Sequence, residues 1–282
     1  VTKTAPLLRT RAQAASQVAA WRKKGMTVGL VPTMGALHSG HAALVRRAAR
    51  ECDRVVVSVF VNPLQFGPRE DFGRYPRALP ADRRLVAAAG AAAVYAPSVD
   101  EMYPKGFRTH VEVEELSELY CGLYRPGHFR GVATVVLKLF NQVPASRAYF
   151  GEKDFQQAAI LERMVKDLDV PIKIIRVPTV RENDGLALSS RNAYLTPDQR
   201  AAAPALRRAL EAGVAAARRR GAKPAAVSAA VRRALAGTPL KLQYASVADA
   251  VTLEPAADLR GPRRLLAAAY LGKTRLIDNI SL

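Results

Sequence analysis

The 282-residue chain is poor in the residues that build cross-links and metal centres. It holds 2 cysteines, Cys52 and Cys121, and no C-x-x-C pair, which excludes a disulfide framework and leaves no thiol pair for zinc. Its 4 histidines, His38, His41, His110 and His128, are too scattered for a multi-ligand metal cluster. No stretch approaches the roughly 18 uninterrupted apolar residues of a membrane span. The opening segment, Val1-Thr-Lys-Thr-Ala-Pro6, lacks the apolar centre of a signal peptide. These absences predict a cytoplasmic, reducing location and no membrane partner. Acidic residues are scarce as well: 24 Asp and Glu face 43 Lys and Arg, giving a formal charge of +19 and a pI near 10.5.

An excess of that size invites a nucleic-acid reading. Its distribution argues otherwise. Arginine outweighs lysine, 32 to 11, and the excess runs along the whole chain. The densest part, Arg207, Arg208, Arg218, Arg219, Arg220, Arg232 and Arg233, falls in an alanine-rich stretch with helical spacing, which reads as a solvated face. The aromatic and basic interleaving of a base-stacking surface is missing, so no nucleic-acid partner is expected. With 49% apolar and 24% charged residues, the composition is that of an ordinary globular protein, long enough for two domains.

The first 180 residues alternate strands with helices. Thr27–Val31 is a short apolar, β-branched run, and His41–Glu51 has helical spacing. Arg54–Val61 is a near-continuous apolar strand of the buried parallel kind. Next come a helix at Asp82–Ala89, strands at Ala92–Ala96 and Thr109–Glu114, and a helix at Gly131–Val143. A strand at Arg147–Phe150, a helix at Phe155–Leu168 and a strand at Ile172–Val177 follow. This alternation predicts an α/β fold, a doubly wound (Rossmann-like) parallel sheet with ligands at the carboxyl ends of its strands. Beyond residue 180 the pattern changes. Helices are expected at Pro197–Arg219, capped by Thr196, and at Pro224–Ala236, then strands at Lys241–Val247, Leu265–Leu271 and Arg275–Ile280. The expected division is a ligand-binding domain over residues 1–180 and a second, smaller α+β C-terminal domain, a lid, over residues 181–282.

The strongest chemical signal is Pro32-Thr-Met-Gly-Ala-Leu-His-Ser-Gly-His41, between the first apolar strand and the helix after it. Gly35 and Gly40 permit a close backbone approach, and the helix start offers unpaired N–H groups at its positive dipole end, a setting for phosphate. His38 and His41, in H-x-G-H spacing, add donors for the same anion. This loop carries neither the Gly-Lys-Ser/Thr of a P-loop nor G-x-G-x-x-G. A zinc pair would need a third ligand that the chain does not obviously supply. H-x-G-H in this position resembles the nucleotidylyl-transferase superfamily, whose members attack the α-phosphate of ATP and expel pyrophosphate.

Further motifs narrow the resemblance. They are Phe60-Val-Asn-Pro-Leu-Gln-Phe66, Asp71-Phe-Gly-Arg-Tyr-Pro-Arg77, Tyr124-Arg-Pro-Gly-His-Phe-Arg-Gly-Val-Ala-Thr134 and Phe150-Gly-Glu-Lys-Asp-Phe-Gln-Gln157. Pro178-Thr-Val-Arg-Glu182, Leu188-Ser-Ser-Arg-Asn-Ala-Tyr-Leu195 and Thr274-Arg-Leu-Ile-Asp-Asn279 complete the series. Together with the H-x-G-H loop they resemble the pantothenate synthetase (pantoate–β-alanine ligase) family, in family order from residue 27 to the C-terminus. The resemblance implies ATP-dependent condensation of pantoate and β-alanine to pantothenate, AMP and pyrophosphate through an enzyme-bound pantoyl adenylate. The rival reading is a nucleotidylyltransferase that adenylylates a phosphorylated metabolite. It shares H-x-G-H but gives no reason for the paired glutamines Gln65 and Gln157.

By this resemblance His38, His41 and Lys153 are catalytic, with His41 the proton donor to the departing group. ATP would lie against Met34, Gly35, Ala36, Leu37, His38, Ser39, Gly40 and His41, and against Gly151, Glu152, Lys153 and Asp154. Val180 would meet the adenine, and Leu188, Ser189, Ser190 and Arg191 the pyrophosphate end. Gln65 and Gln157, assisted by Asn62, would bind pantoate, with Phe60, Phe66 and Val136 as apolar wall. Arg125 and His128 would gate the site or bind phosphate. Mg²⁺ is implied as well. Relatives carry consecutive acidic residues after Tyr-Pro-Arg, where this chain has Ala81, so Asp82 is the one candidate ligand. A homodimer is the family's usual state.

Overall fold

The computed structural model describes residues 4–68 and 70–282; Val1, Thr2 and Lys3 of the opening segment lie outside the described residues. The chain enters through β1 (Leu7–Leu8) and α1 (Arg11–Lys23). The first turn of α1 is closed reciprocally: Thr10 Oγ1 accepts the Gln13 N–H, and the Gln13 side chain accepts the Thr10 N–H. Then come β2 (Val28–Thr33), α2 (Ser39–Glu51), β3 (Arg54–Val59), α3 (Leu79–Ala88), β4 (Ala93–Tyr95), α4 (Val99–Met102) and α5 (Cys121–Tyr124). The helix α6 (His128–Gln142), β5 (Arg147–Gly151), α7 (Phe155–Asp167) and β6 (Lys173–Val177) complete this part.

The six strands form one parallel sheet in the order β1-β4-β3-β2-β5-β6. From β2 the chain moves outward through β3 to β4, then crosses to β5 on the other side. The order therefore reverses between β2 and β5, where a doubly wound sheet opens a crevice at its carboxyl edge. Strand alternation supplies both faces. Leu30, Val56, Ala148 and Phe150 pack toward α1 and α6, while Val31, Val55, Val57 and Tyr149 pack toward α2 and α3. Each fully buried Val or Leu contributes about 1.5–3 kcal/mol. Gly131 lets α6 press on the turn Pro63–Gln65: a Cβ there would lie 2.2 Å from the Leu64 carbonyl oxygen.

The remainder packs α8 (Pro197–Ala202), α9 (Ala205–Ala217) and α10 (Pro224–Leu235) with an antiparallel sheet, β7 (Leu240–Asp249), β8 (Arg263–Leu271) and β9 (Thr274–Ser281). Leu206, Leu210, Val227, Val231 and Leu265 form its core. A doubly wound sheet followed by a smaller α+β unit is what the alternation predicts. Two local expectations fail. The Pro197–Arg219 helix is split at Ala203–Pro204, because a proline inside the run has no N–H for the preceding turn. Thr109–Glu114 is not a strand. The Val111 N–H donates to Thr134 Oγ1 on α6 at 2.9 Å, and Val111 and Val113 pack on the helical core, so the alternation records packing on α6 rather than sheet pairing. No helix among the described residues is long and apolar enough to cross a membrane.

Candidate active site

A cavity of about 240 Å³ opens at the carboxyl edge, flanked by the segments that follow β2, β3, β5 and β6. It gathers Met34, His38, Gly40, His41, Asn62, Gln65, Gly151, Lys153, Asp154, Gln157, Val180, Leu188, Ser189, Ser190 and Arg191 on one wall system. Phe60 and Val136 add apolar lining; Phe66 instead packs edge-on against Phe72 and Tyr75.

The H-x-G-H loop is held in an unusual backbone shape. Gly35 has φ +88° and Ala36 has φ +52°. A side chain at Gly35 would also come within 3.1 Å of Asp82 Oδ2. Buried Asp82 supports the turn: its carboxylate accepts the Ala36 N–H at 3.2 Å and the Leu37 N–H at 2.8 Å. Burial pushes its pKa up, against those two hydrogen bonds. Asp82, the residue expected to meet Mg²⁺, does not line the cavity. Both its oxygens are engaged by the main chain, and no three His, Cys, Asp or Glu among the described residues gather into a metal group.

Hydrogen bonding sets the histidine tautomers. His38 Nδ1 accepts the Gly40 N–H at 3.2 Å, and His41 Nδ1 accepts the His38 N–H at 3.3 Å. The neutral rings, with centroids 4.1 Å apart, therefore each carry the proton on Nε2. Burial lowers His41 to about 3, with the His38 and Lys153 charges acting in the same direction. Burial and Lys153 lower His38 to about 4, with Asp154 opposing. Both are neutral N–H donors near pH 7.

Lys153 sits in a 3-10 turn after β5, with its Nζ 3.8 Å from Asp154 Oδ1. The turn is held from the other sheet: buried Asn279 on β9 donates to the Glu152 and Lys153 carbonyls, both at 2.9 Å. From the segment after β6, Ser190 Oγ donates to the Ala36 carbonyl at 3.0 Å, and Ser189 Oγ caps the following turn through the Arg191 N–H. Arg191 is less free than its sequence motif implies. Its Nε and Nη2 donate to the Asp71 carboxylate at 3.0 and 2.8 Å, leaving the rest of the guanidinium for the cavity.

The glutamines differ in commitment. Gln65 Nε2 donates to Met34 Sδ at 2.9 Å, and its Oε1 accepts from Asn62 Nδ2 at 3.1 Å. Asn62 also donates to the Gly131 carbonyl and accepts from the Leu64 N–H and the Tyr103 hydroxyl. All four of its hydrogen-bonding positions are used within the fold, and one of them positions Gln65. His128 and Arg125 act on the same residue. His128 Nδ1 bonds the Gln65 carbonyl at 2.8 Å, its Nε2 receives Arg125 Nη1 at 2.8 Å, and Glu70 holds Arg125 with two 2.6 Å bonds. The Gln157 side chain makes no hydrogen bond among the described residues and faces the cavity with both functions available.

Gly35, Ala36, Leu37, Ser39 and Glu152 shape this site without lining it. Sequence reasoning missed Asp71, Asn279 and the supporting roles of Asp82 and Asn62. All four act from segments remote in the chain from the groups they hold, or through hydrogen bonds that residue spacing does not encode.

A pantoate-β-alanine ligase family model matches residues 6–281. A pantothenate synthetase of Moorella thermoacetica is 53% identical over 277 residues, covering 98% of each chain. One from Paramagnetospirillum magneticum is 54% identical over 279 residues, covering 97% of this chain and 96% of the relative. Among solved structures, a pantothenate synthetase of Thermus thermophilus superposes with a TM-score of 0.91 at 50% identity, over 98% of each chain. The pantoate-β-alanine ligase of Francisella tularensis, described as complexed with βγ-ATP and β-alanine, superposes with a TM-score of 0.81 at 34% identity, over 98% of this chain and 97% of its own.

Proposed function

The chain belongs to the pantoate-β-alanine ligase family, and from that premise we propose how its cavity performs the reaction. The enzyme is a ligase that condenses pantoate and β-alanine using ATP. A carboxylate is a poor acyl donor at neutral pH, because its leaving group would be oxide. The proposed route therefore has two steps. First, a pantoate carboxylate oxygen attacks the α-phosphorus of ATP. The bond from that phosphorus to the bridging oxygen breaks, and pyrophosphate leaves with the electron pair. In the second step the β-alanine amine attacks the acyl carbon, the acyl C–O bond breaks, AMP leaves, and the nitrogen gives up a proton.

The observation that carries this reading is a single cavity holding three anion-directed donors beside two amide side chains. His38 and His41 present Nε2–H donors, and Lys153 a compact cation, for charge developing on the α-phosphate. As a neutral imidazole His41 serves by hydrogen bonding; pyrophosphate departs as an anion and requires no proton from it. Met34, Gly40, Gly151, Asp154, Val180 and Leu188 would wall the nucleotide, with Ser189, Ser190 and the open edge of Arg191 at its pyrophosphate end. Gln65 and Gln157 would hold pantoate, fixing the carboxylate near the α-phosphorus.

Magnesium is assigned to the substrate, as Mg·ATP, with phosphate oxygens and water completing its coordination. The proposal retains two domains, residues 1–180 and 181–282, with the nucleotide between them. A cytoplasmic homodimer completes it: the dimer rests on the family resemblance, the compartment on two free, buried cysteines. Incubation with ATP and pantoate, with and without β-alanine, tests the scheme. AMP release that requires both pantoate and β-alanine is expected. A product that keeps AMP would contradict it.

A further inference from the structure

Arg264, on β8, is a cation with only 11% of its side chain exposed, and the carboxylate it pairs with, Glu152, stands 3.7 Å away. Its close hydrogen bonds go elsewhere. Nε donates to Asn279 Oδ1 and Nη1 to Ser281 Oγ, both at 2.6 Å. The guanidinium carbon also lies 4.5 Å from the centre of the buried Phe155 ring. Arg176, on β6, stands at the same distance from that ring and pairs with Glu162. Phe155 opens α7 immediately after the turn Glu152–Asp154. Its ring therefore seats one cation from each sheet, an attraction that strengthens where water is excluded.

The Asn279 amide has two chemically different ends, and its surroundings admit one sense. A guanidinium only donates and a main-chain carbonyl only accepts. With the amide oxygen on Arg264, its nitrogen reaches the Glu152 and Lys153 carbonyls, both at 2.9 Å. Turned over, the amide would set N–H against guanidinium and oxygen against two carbonyls, and all three hydrogen bonds would be lost. Sheet register places the donor. Leu266 stands opposite Asn279 in the β8–β9 pair, so Arg264, two residues away on the same face, is its diagonal neighbour.

We propose that Arg264 is a positioning residue for the first step: it holds the Asn279 amide in the sense that grips the Glu152–Asp154 turn, and so aims the Lys153 ammonium at the α-phosphate. Arg264 does not line the cavity. Its effect passes through Asn279, with Phe155 and Ser281 fixing the guanidinium where the amide oxygen meets it. The property required at this position is a hydrogen-bond donor, which any residue that only fills the space lacks.

The inference rests on the adenylate reading, and one experiment separates the two. Pantoate-dependent exchange of pyrophosphate into ATP, without β-alanine, is measured for Arg264→Met, Asn279→Ala and the double variant, with Tm as the check on folding. Arg264→Met keeps apolar bulk but removes the donor. It should slow the maximal exchange rate by about tenfold as the turn loosens, with KM for ATP changed by no more than about threefold. In the Asn279→Ala background the same substitution should cost no more than about a further twofold, because the relay is already cut. Arg264→Lys, whose ammonium is also only a donor, should keep a rate clearly above that of Arg264→Met. Losses that multiply to about a hundredfold in the double variant, an unchanged rate in Arg264→Met, or a lysine variant no better than methionine would each overturn the role. Should Arg264→Met not fold, Arg264→Gln takes its place in both backgrounds under the same criteria. Absence of exchange in the unaltered enzyme would overturn the adenylate reading instead.

Discussion

The Asn279 amide, on the last strand of the smaller sheet, donates to the main-chain carbonyl of Lys153, the lysine proposed to meet the α-phosphate, at 2.9 Å. It bonds the Glu152 carbonyl at the same distance, and its own oxygen accepts from Arg264 Nε at 2.6 Å. One buried side chain from the C-terminal sheet thus fixes the turn that aims the cation. Asn279→Ala leaves two carbonyls unpartnered, a loss of about 1–3 kcal/mol. Pyrophosphate exchange should slow by about tenfold as Lys153 loosens. Asn279→Asp, which turns an acceptor toward two acceptors, should be worse. Calorimetry and exchange assays check both; full activity in Asn279→Ala would remove this positioning role.

Asp82 separates a structural role from a metal role. Asp82→Asn keeps shape but weakens acceptance from the Ala36 and Leu37 N–H groups. The strained loop should relax, raising KM for ATP several-fold and lowering Tm. The Mg²⁺ concentration for half-maximal rate, measured at saturating ATP, should stay within about twofold. A large rise in that requirement would restore Asp82 as a ligand.

The glutamines should fail differently. Gln157 makes no internal hydrogen bond, so Gln157→Ala should raise KM for pantoate by tenfold or more, the loss expected for one well-placed hydrogen bond in a dry site, with little change for ATP. Gln65 also bonds Met34 and Asn62. Gln65→Ala should therefore raise KM for pantoate and for ATP together. Initial-rate kinetics with each substrate varied decide the matter; identical profiles for the two variants would contradict the assignment.

Three histidines give the fold an acid limit. His38, His41 and His128 are lowered to about 4, 3 and 3 from 6.5, in each case chiefly by burial. Between those values the unfolded chain binds protons that the folded chain excludes. Stability is therefore greatest above about pH 6.5 and falls as pH drops toward 3–4, by up to about 1.4 kcal/mol per pH unit for each well-buried group. Tm measured from pH 8 to pH 5 should decline below pH 6.5, and His128→Gln should flatten the decline. A Tm that rises on acidification would reverse the sign.

Much of this was legible in the chain. The parallel sheet followed from alternation, and H-x-G-H fell where the strand order reverses. Period alone misled at Thr109–Glu114, because alternation does not say whether a free sheet edge exists; here α6 supplies the surface instead. The helix α1 went unread because it buries only Ala14 and Val18, although its Thr10–Gln13 cap is a local signal. Asp82 read as a ligand for want of another carboxylate, and only the folded loop reveals the two N–H groups it serves. Asn279 and Asp71 were unreadable as partners of the Lys153 turn and of Arg191. Both contacts span more than one hundred residues.

The central claim is that pantoate attacks the α-phosphorus and that AMP later departs with the attacking oxygen. Pantoate labelled with ¹⁸O in its carboxylate, turned over with ATP and β-alanine, tests it directly by mass spectrometry of the products. The scheme predicts one labelled oxygen in the phosphate of AMP for every pantothenate formed, and none in pyrophosphate. Unlabelled AMP, with the label in pyrophosphate or inorganic phosphate, would contradict it.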